Sequence, residues 1–264
     1  MTDAQLIPVA DNISLAVAAT PASDKPAIVL SNSIGASLEM WDEFSVRLSD
    51  RFRIIRYDAR GHGRSQITDV PITIATLGED VVKILDALKI PSAVLCGLSL
   101  GGLTAQWLAI NHPHRFRGVV LANTAASFPP ATMWHDRAKA VRENGMQPLV
   151  PATLDRWFTK PFQEKNPGRM AEVATMISGT SAVGYARCCE VLASTNLLAG
   201  LPSIKLPVSI ICGRHDASTT PARGEEMANA IPNSNVQILE SAHISSIEAA
   251  DEFANTVRQF ADSI

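Results

Sequence analysis

The sequence predicts an α/β protein in which helices cover both faces of a mostly parallel sheet and a helical lid is inserted. Short unbroken apolar runs alternate with amphipathic segments of helical period, a pattern typical of parallel strands buried on both faces. The alternation stops after Asn123, and residues 124–196 have helical character with no clear strand pattern. We therefore predict a core formed by residues 1–123 and 197–264, with the lid, 124–196, inserted after the strand that ends at Asn123.

Before the insertion, five apolar runs have the length and composition of strands. They lie around Ile13–Ala19, Ala27–Ser31, Arg53–Tyr57, Ala93–Cys96 and Gly118–Asn123. Helices are predicted between them wherever apolar residues share one face. These faces carry Trp41, Phe44 and Leu48, then Ile74, Leu77, Val81, Ile84, Leu85 and Leu88, and finally Leu103, Gln106, Trp107 and Ile110.

After the insertion the alternation of strand and helix resumes. A strand is predicted at Val208–Gly213, a helix near Ala222–Ala230, a strand at Asn235–Leu239 and then a last helix. One face of that helix carries Ile244, Ile247, Ala250, Phe253, Val257 and Phe260. Because parallel strands all end at the same edge of a sheet, the loops that follow them are expected to meet there.

Composition and charge favour a small-molecule partner over a polyanion. The chain has 264 residues, a formal net charge of -3 and a pI near 6.1, so no basic field is available for nucleic acid or an anionic membrane. The segment Met1–Gln5 lacks the cationic and apolar regions of a secretory signal, so we expect a cytoplasmic protein. Cys96 and Cys212 lie in apolar runs, and the adjacent Cys188-Cys189 lack zinc-ligand spacing, which predicts a reducing compartment and no metal.

The segment Gly97-Leu98-Ser99-Leu100-Gly101 lies between an apolar strand and a helix. In such a turn the serine adopts a strained backbone conformation and presents its hydroxyl at the carboxyl edge of the sheet, which requires small neighbours. We interpret Ser99 as a nucleophile. The alternatives are that Ser99 only caps the helix, or that the apolar run from Ala93 to Ile110 spans a membrane, which its polar residues and glycines disfavour.

A serine nucleophile needs a base to take its proton and an acid to orient that base. In proteins with this turn the order along the chain is serine, acid, histidine. Among the six histidines, only His243 follows the final predicted strand, and we assign it as the base. Asp216 follows the preceding strand and is assigned as the acid. Some folds of this kind place the acid after the strand before that one, but the residue there is Asn123, which cannot balance the charge of an imidazolium. A helix-capping or exposed His243 and a plain turn Asp216 are the structural alternatives.

Acyl transfer also needs backbone N–H groups that stabilise the developing oxyanion. One is expected from Leu100, at the positive end of the helix that follows the nucleophile. The second is expected from the loop after the Ala27–Ser31 strand, and by position we choose Ile34. The alternative is that this loop is an ordinary connection between a strand and a helix.

With these residues in place, the chain resembles the α/β-hydrolases over nearly its whole length. The resemblance rests on Asp58–Ser65 (Asp-Ala-Arg-Gly-His-Gly-Arg-Ser), the turn at Ser99, Gly213–Asp216 and Ala242-His243. Within that superfamily the chain is similar to the 3-oxoadipate enol-lactonases. The narrower match rests on Ser31-Asn32-Ser33-Ile34-Gly35, on Leu98–Gly102 and on a lid of similar length.

The resemblance implies an enzyme that opens a small enol-lactone bearing a carboxymethyl group, through an acyl-enzyme and without a cofactor. The substrate's carboxylate calls for a cation. Trp134 and Arg137 lie three apart on the first predicted lid helix and share a face, so they could form an aromatic wall and a guanidinium hook. Arg187 is another candidate. The alternative is that Trp134 packs within the lid while Arg137 faces solvent.

Other functions are compatible with the same triad. A broad carboxylesterase or perhydrolase, or a C–C hydrolase of ring-cleavage products, would use the same three residues. A ligand receptor on this scaffold would turn over barely or only once. Dehalogenases and epoxide hydrolases of this fold use aspartate as the nucleophile, so Ser99 disfavours both.

Overall fold

The computed structural model describes residues 4–67 and 69–264, in which eight strands form one sheet. The sheet order is β1-β2-β4-β3-β5-β6-β7-β8; β1 pairs with β2 and β2 with β4 antiparallel, and every other pair is parallel. The strands are β1 Gln5–Ala10, β2 Ile13–Ala19, β3 Ala27–Ser31, β4 Arg53–Tyr57, β5 Ala93–Leu98, β6 Phe116–Ala122, β7 Val208–Gly213 and β8 Ser234–Leu239. The predicted mostly parallel α/β class is confirmed.

Eleven α-helices lie in the described part of the chain. They are α1 Asp42–Leu48, α2 Ile74–Ala87, α3 Leu100–Asn111, α4 Ala131–Asn144, α5 Val150–Trp157, α6 Lys160–Lys165, α7 Pro167–Ser178, α8 Ala182–Ser194, α9 Pro221–Ala230, α10 Ser245–Glu248 and α11 Ala250–Asp262. Short 3₁₀ turns at Leu38–Trp41, Pro113–Arg115, Gln147–Leu149 and Leu198–Ser203 join some of them. Within residues 4–67 and 69–264, none of these helices is long and apolar enough to cross a membrane.

Two hydrophobic clusters cover the two faces of the sheet. Along β3, Ile28 and Leu30 belong to the cluster that also contains Phe44 of α1 and Phe253 of α11. The intervening Val29 belongs to the other cluster, with residues of α2, α3 and α9. Since successive strand residues point to opposite faces, this alternation shows that β3 is buried on both sides.

The strand register brings the ends of several strands to one edge. Ser31, the last residue of β3, pairs with Gly97 of β5, and Leu98 pairs with Ala122 of β6. Gly213 at the end of β7 pairs with Leu239 of β8. The loops that follow β3, β5, β6, β7 and β8 therefore all begin at the same edge of the sheet.

Helices α4 to α8 lie between β6 and β7, within the segment 124–196. At its base, Ser127 and Asn196 pair in an isolated antiparallel bridge, which brings the start and the end of this segment together. Helices α4 and α8 pack against each other. The division into core and lid, and the closing function of the lid, stay predictions.

The structure differs from the sequence interpretation at both ends of the described chain. Strand β1 was not predicted: only Ile7 and Val9 of it are buried, because it pairs at the sheet edge with β2 alone. The single last helix is two helices, α10 and α11. They are separated at Ala249, whose φ of -119° and ψ of 48° are not helical.

Candidate active site

Ser99 lies in a sharp turn between β5 and α3. Its φ of 57° and ψ of -114° are outside the regions that L-residues favour, at a cost on the order of 1–3 kcal/mol. A Cβ at Gly97 would lie 2.2 Å from the Gly101 carbonyl oxygen, and one at Gly101 would lie 2.1 Å from the Ser31 carbonyl oxygen. The turn therefore requires glycine at both positions, and the surrounding backbone maintains the strain at Ser99.

Asp216 and His243 form a buried pair after β7 and β8. The Asp216 Oδ2 lies 2.7 Å from the His243 Nδ1, and the two residues are 2% and 4% exposed. Burial alone would raise the pKa of Asp216, but the charge and hydrogen bond of His243, with hydrogen bonds from Thr219, lower it to about 2. Asp216 is therefore an ionised acceptor that fixes the Nδ1–H tautomer of His243 and leaves Nε2 as the ring nitrogen without a proton.

The Asp216 carboxylate is held in place on both oxygens. Oδ1 accepts the backbone N–H groups of Ser218 and Thr219 at 2.8 and 3.0 Å. Oδ2 accepts the Thr219 hydroxyl at 2.6 Å and the Asn123 side-chain amide at 3.2 Å. The carboxylate is thus oriented before any charge develops on the imidazole.

Asn123 has a role that the sequence did not indicate. Its side-chain nitrogen donates to Asp216 and also to the Ala242 carbonyl at 3.2 Å, and its side-chain oxygen accepts the Ser245 hydroxyl. The only hint available from sequence was its position directly after a buried strand. Asn123 therefore links the loop of the acid to the loop of the histidine.

A cavity of about 320 Å³ connects the predicted catalytic groups. Ser99 and His243 both line it, together with Ile34. The structure thus brings the predicted nucleophile, the predicted base and one of the two predicted oxyanion residues to a single space at the carboxyl edge of the sheet. Among residues 4–67 and 69–264, no group of three or more His, Cys, Asp or Glu side chains is placed to hold a metal ion.

The two backbone donors assigned to the oxyanion come from adjacent segments. Leu100 is the first residue of α3, so its N–H has no partner within the helix. The next N–H, of Gly101, donates to the Asn32 carbonyl at 2.9 Å and ties the helix to the loop that carries Ile34. The N–H groups of Ile34 and Leu100 donate no hydrogen bond to any residue in the described part of the chain.

His62, within the Asp58–Ser65 motif, supports the loop that carries Ile34 through a buried hydrogen bond. It is fully buried, and its Nε2 accepts the backbone N–H of Gly35 at 2.9 Å while its Nδ1 lies 3.0 Å from the Arg60 carbonyl. Since a carbonyl can only accept, Nδ1 carries the proton and the ring is neutral. Burial lowers the pKa of His62 to about 4, which maintains that neutral form.

Trp134 and Arg137 of α4 both line the cavity, as the shared helical face predicts. The Arg137 Cζ lies 4.7 Å from the centre of the Trp134 ring, within the range of a cation–π contact. Trp134 is 7% exposed and its Nε1 donates to the Phe128 carbonyl at 2.7 Å, so the ring that supports the guanidinium is itself fixed.

Arg187, the other candidate cation, lies elsewhere. Its guanidinium pairs with Asp69 and Glu190 at 2.8 Å each, and it is not among the residues that line the cavity. Arg156 and Arg223 do line the cavity and were not predicted, because nothing in the local sequence around either one indicates that it faces Ser99.

Comparison with known proteins agrees with the geometry of the site. Residues 26–250 match the family model described as the α/β hydrolase fold. The chain is 41% identical to 3-oxoadipate enol-lactonase 2 of Acinetobacter baylyi, over 94% of this chain and 93% of the relative. It is 39% identical to 3-oxoadipate enol-lactonase 1 of the same organism, over 95% and 94%. The crystal structure of the enol-lactonase from Burkholderia xenovorans superposes with a TM-score of 0.94 at 40% identity and covers 97% of this chain and 99% of that one.

Proposed function

Because the chain belongs to the α/β hydrolase family, we propose that it is a lactone hydrolase that converts 3-oxoadipate enol-lactone to 3-oxoadipate. The observation that carries this proposal is the cavity that Ser99, His243 and Arg137 share. It combines a hydroxyl, a base and a cation in a space sized for a small lactone that bears a carboxylate. The similarity to two enol-lactonases over more than nine tenths of the chain supports the same substrate.

Ser99 begins the reaction by attacking the ring carbonyl. His243 takes the serine proton on Nε2, and the ionised Asp216 stabilises the imidazolium that forms. The N–H groups of Ile34 and Leu100 stabilise the oxyanion of the tetrahedral intermediate, each by on the order of 3 kcal/mol. The ring C–O bond then breaks and leaves an acyl group on Ser99.

The leaving group of this first step is an enolate. It takes up the proton that His243 removed from Ser99 and becomes a ketone, which returns His243 to its neutral form. Because an enolate is a better leaving group than an alkoxide, its departure needs less acid assistance. Water then enters, His243 removes its proton, and the resulting hydroxide attacks the acyl carbon. The ester bond to Ser99 breaks, the Ser99 oxygen takes back a proton from His243, and a dicarboxylate with one ketone is released, with no cofactor in either step.

Arg137 and Trp134 are proposed to hold the carboxylate that the substrate carries from the start. The guanidinium is stacked on the indole, so it meets the substrate already oriented. A charge-assisted hydrogen bond from this position would fix the lactone ring relative to Ser99.

We assign residues 124–196 the role of a lid over this cavity. The segment supplies several lining residues, including Trp157, and the Trp157 carbonyl accepts the N–H of Ile244, next to the predicted base, at 3.1 Å. On the other side, the Thr180 hydroxyl donates to the Gly35 carbonyl at 3.3 Å. The loop that carries His243 and the loop that carries Ile34 are therefore both in contact with this segment.

A substrate panel tests the assignment. Steady-state rates are measured on 3-oxoadipate enol-lactone, on a lactone of the same ring without the carboxymethyl group, on simple esters and on dienone acids. We expect the carboxylate-bearing lactone to have the highest kcat/KM. Faster turnover of neutral esters or of dienone acids would instead indicate an esterase or a C–C hydrolase, and a single stoichiometric burst would indicate a receptor.

A further inference from the structure

The cavity at Ser99 has a positive charge that the protein does not neutralise. Three of its lining side chains are arginines, and no Asp or Glu is among the described residues that line it. Arg223 has its own partner, Glu226, at 3.0 Å. Arg137 and Arg156 have no carboxylate oxygen within 4.0 Å in the part of the chain that the structure describes.

The groups around these two arginines are neutral. Arg137 lies on the face of Trp134 and beside the hydroxyl of Tyr185, whose pKa burial raises to about 12. Arg156 donates from Nη2 to the Thr153 hydroxyl at 3.1 Å. Burial and then the nearby Arg137 charge lower the pKa of Arg156, so the two guanidinium groups repel each other.

A purely structural role does not explain this arrangement. Two partly buried like charges destabilise a folded protein unless a counter-charge is close. Asp155 is adjacent to Arg156 in sequence, but its carboxylate pairs with Lys160 at 2.5 Å and its side chain is 54% exposed. No described residue supplies a close counter-charge, and the open space that both guanidinium groups line is the cavity itself.

We propose that Arg156 and Arg137 form a carboxylate clamp in which both guanidinium groups bind the same carboxylate of the substrate. Arg156 is then a specificity-determining residue. Only the identity of the anion as the carboxymethyl group of a lactone rests on the proposed function; the anion site itself does not. One carboxylate has four acceptor positions, enough for donors from two guanidinium groups, and it removes their mutual repulsion.

Carboxylate binding measured without turnover tests the clamp. Hexanoate and its neutral isostere hexanamide are titrated calorimetrically into the wild type and into Arg156→Gln. We expect the wild type to bind hexanoate at least about tenfold more tightly than hexanamide, since an Arg–carboxylate pair contributes a charge-assisted bond. In Arg156→Gln this preference falls by about tenfold or more, while the affinity for hexanamide is unchanged.

Arg142→Gln is the matched control. Arg142 lies on the same helix as Arg137 and the substitution changes the net charge equally, but it pairs with Glu190 and does not line the cavity. We expect its hexanoate preference to equal that of the wild type. An equal loss in Arg142→Gln and Arg156→Gln would show that only the overall charge matters and would overturn the clamp.

Thermal unfolding gives a second readout that a structural role would not produce. Removing one of two repelling charges leaves the Tm of ligand-free Arg156→Gln unchanged or raises it, while the rise in Tm that hexanoate causes in the wild type is lost. If Arg156→Gln does not fold, Arg156→Lys is measured in its place. Lysine keeps the positive charge but lacks the planar guanidinium group, so we expect Arg156→Lys to retain only part of the hexanoate preference.

The outcomes separate this proposal from the proposed function. Hexanoate binding that depends on Arg156, in a protein that fails to hydrolyse any enol-lactone, supports the clamp and contradicts the lactonase. Lactone turnover with a hexanoate preference that Arg156→Gln leaves intact supports the lactonase and overturns the clamp. A wild type with no preference for hexanoate over hexanamide also overturns it.

Discussion

Arg137 illustrates how a single side chain is expected to determine the substrate class. Its guanidinium lines the cavity and has no carboxylate partner among the described residues, so we expect the favourable charge interaction to come from the ligand. We predict that Arg137→Ala raises KM for the carboxylate-bearing lactone by about ten- to a hundredfold and leaves KM for a neutral ester unchanged. Steady-state kinetics on both substrates check this, and equal effects on the two would remove Arg137 from the binding site.

His62 acts through its neighbour and not on the substrate. Without its Nε2, the Gly35 N–H would be buried and unpaired, and the loop that carries Ile34 would lose its support. We predict that His62→Ala lowers kcat by about ten- to a hundredfold with less than about a threefold change in KM, because the oxyanion donor matters in the transition state. His135→Ala, an exposed histidine of α4, is the control and should change neither constant. A rise in KM with kcat intact would assign His62 to substrate binding instead.

The depressed pKa of His62 also predicts a pH dependence of stability. Between about pH 4 and pH 6.5 the unfolded chain binds a proton at this residue and the folded protein does not, so the stabilising contribution is present above pH 6.5 and is lost as the pH falls. We compare the free energy of unfolding of the wild type with that of His62→Ala. As the pH is lowered through that range, we expect the difference, wild type minus variant, to decrease by up to about 1.4 kcal/mol per pH unit. Denaturant titrations at several pH values measure it. Asp58, whose pKa burial raises to about 6, is present in both proteins and cancels. A difference that does not vary with pH would contradict a buried neutral His62.

Helix α8 contacts the Asp58–Ser65 loop, backbone against backbone. A Cβ at Gly184 would lie 2.5 Å from the Cα of Gly61, and the Ser181 N–H donates to the Gly61 carbonyl at 3.1 Å. This contact connects the segment 124–196 with the loop that contains His62. The close approach leaves no room for a side chain at either glycine.

Gly184→Ala tests this contact between elements. We predict a loss of about 1–3 kcal/mol in the free energy of unfolding, because the added methyl group forces the two backbones apart. Gly168→Ala is the matched control: it also lies in a helix of the insertion, and nothing is within 4 Å of its Cβ, so we expect no loss and a gain of up to about 1 kcal/mol. Equal stabilities of the two variants, by urea unfolding, would show that α8 is not tightly docked.

The strands that the sequence predicts best are those whose residues are nearly all apolar, because such strands are buried on both faces. β3, apart from its terminal Ser31, and β5 are apolar, and both are buried at every residue, so local sequence is sufficient to identify them. β1 has only two buried residues and depends on pairing with β2, and the break at Ala249 depends on local backbone angles within an otherwise continuous apolar face. The pairing of an edge strand such as β1 is set by tertiary contacts, which a single sequence does not show.

At the scale of the whole molecule, the order of elements along the chain was the basis for predicting Ser99, Asp216 and His243 as the catalytic residues. Each follows a strand of one parallel sheet, and the register brings those strand ends together. The roles of Asn123 and Arg156 could not be predicted in this way. Asn123 acts through the Asp216 loop, 93 residues away in sequence, and Arg156 faces the cavity only because the insertion folds back over the sheet.

We propose that Ser99 is the nucleophile of a lactone hydrolase. The most direct measurement is the rate of 3-oxoadipate enol-lactone hydrolysis by Ser99→Ala compared with the wild type, with unfolding curves to show that both are folded. We predict sustained turnover by the wild type and a fall of at least about 10⁴-fold in kcat for Ser99→Ala, since removal of a serine nucleophile costs this much or more. Turnover by Ser99→Ala within about tenfold of the wild type would contradict the account.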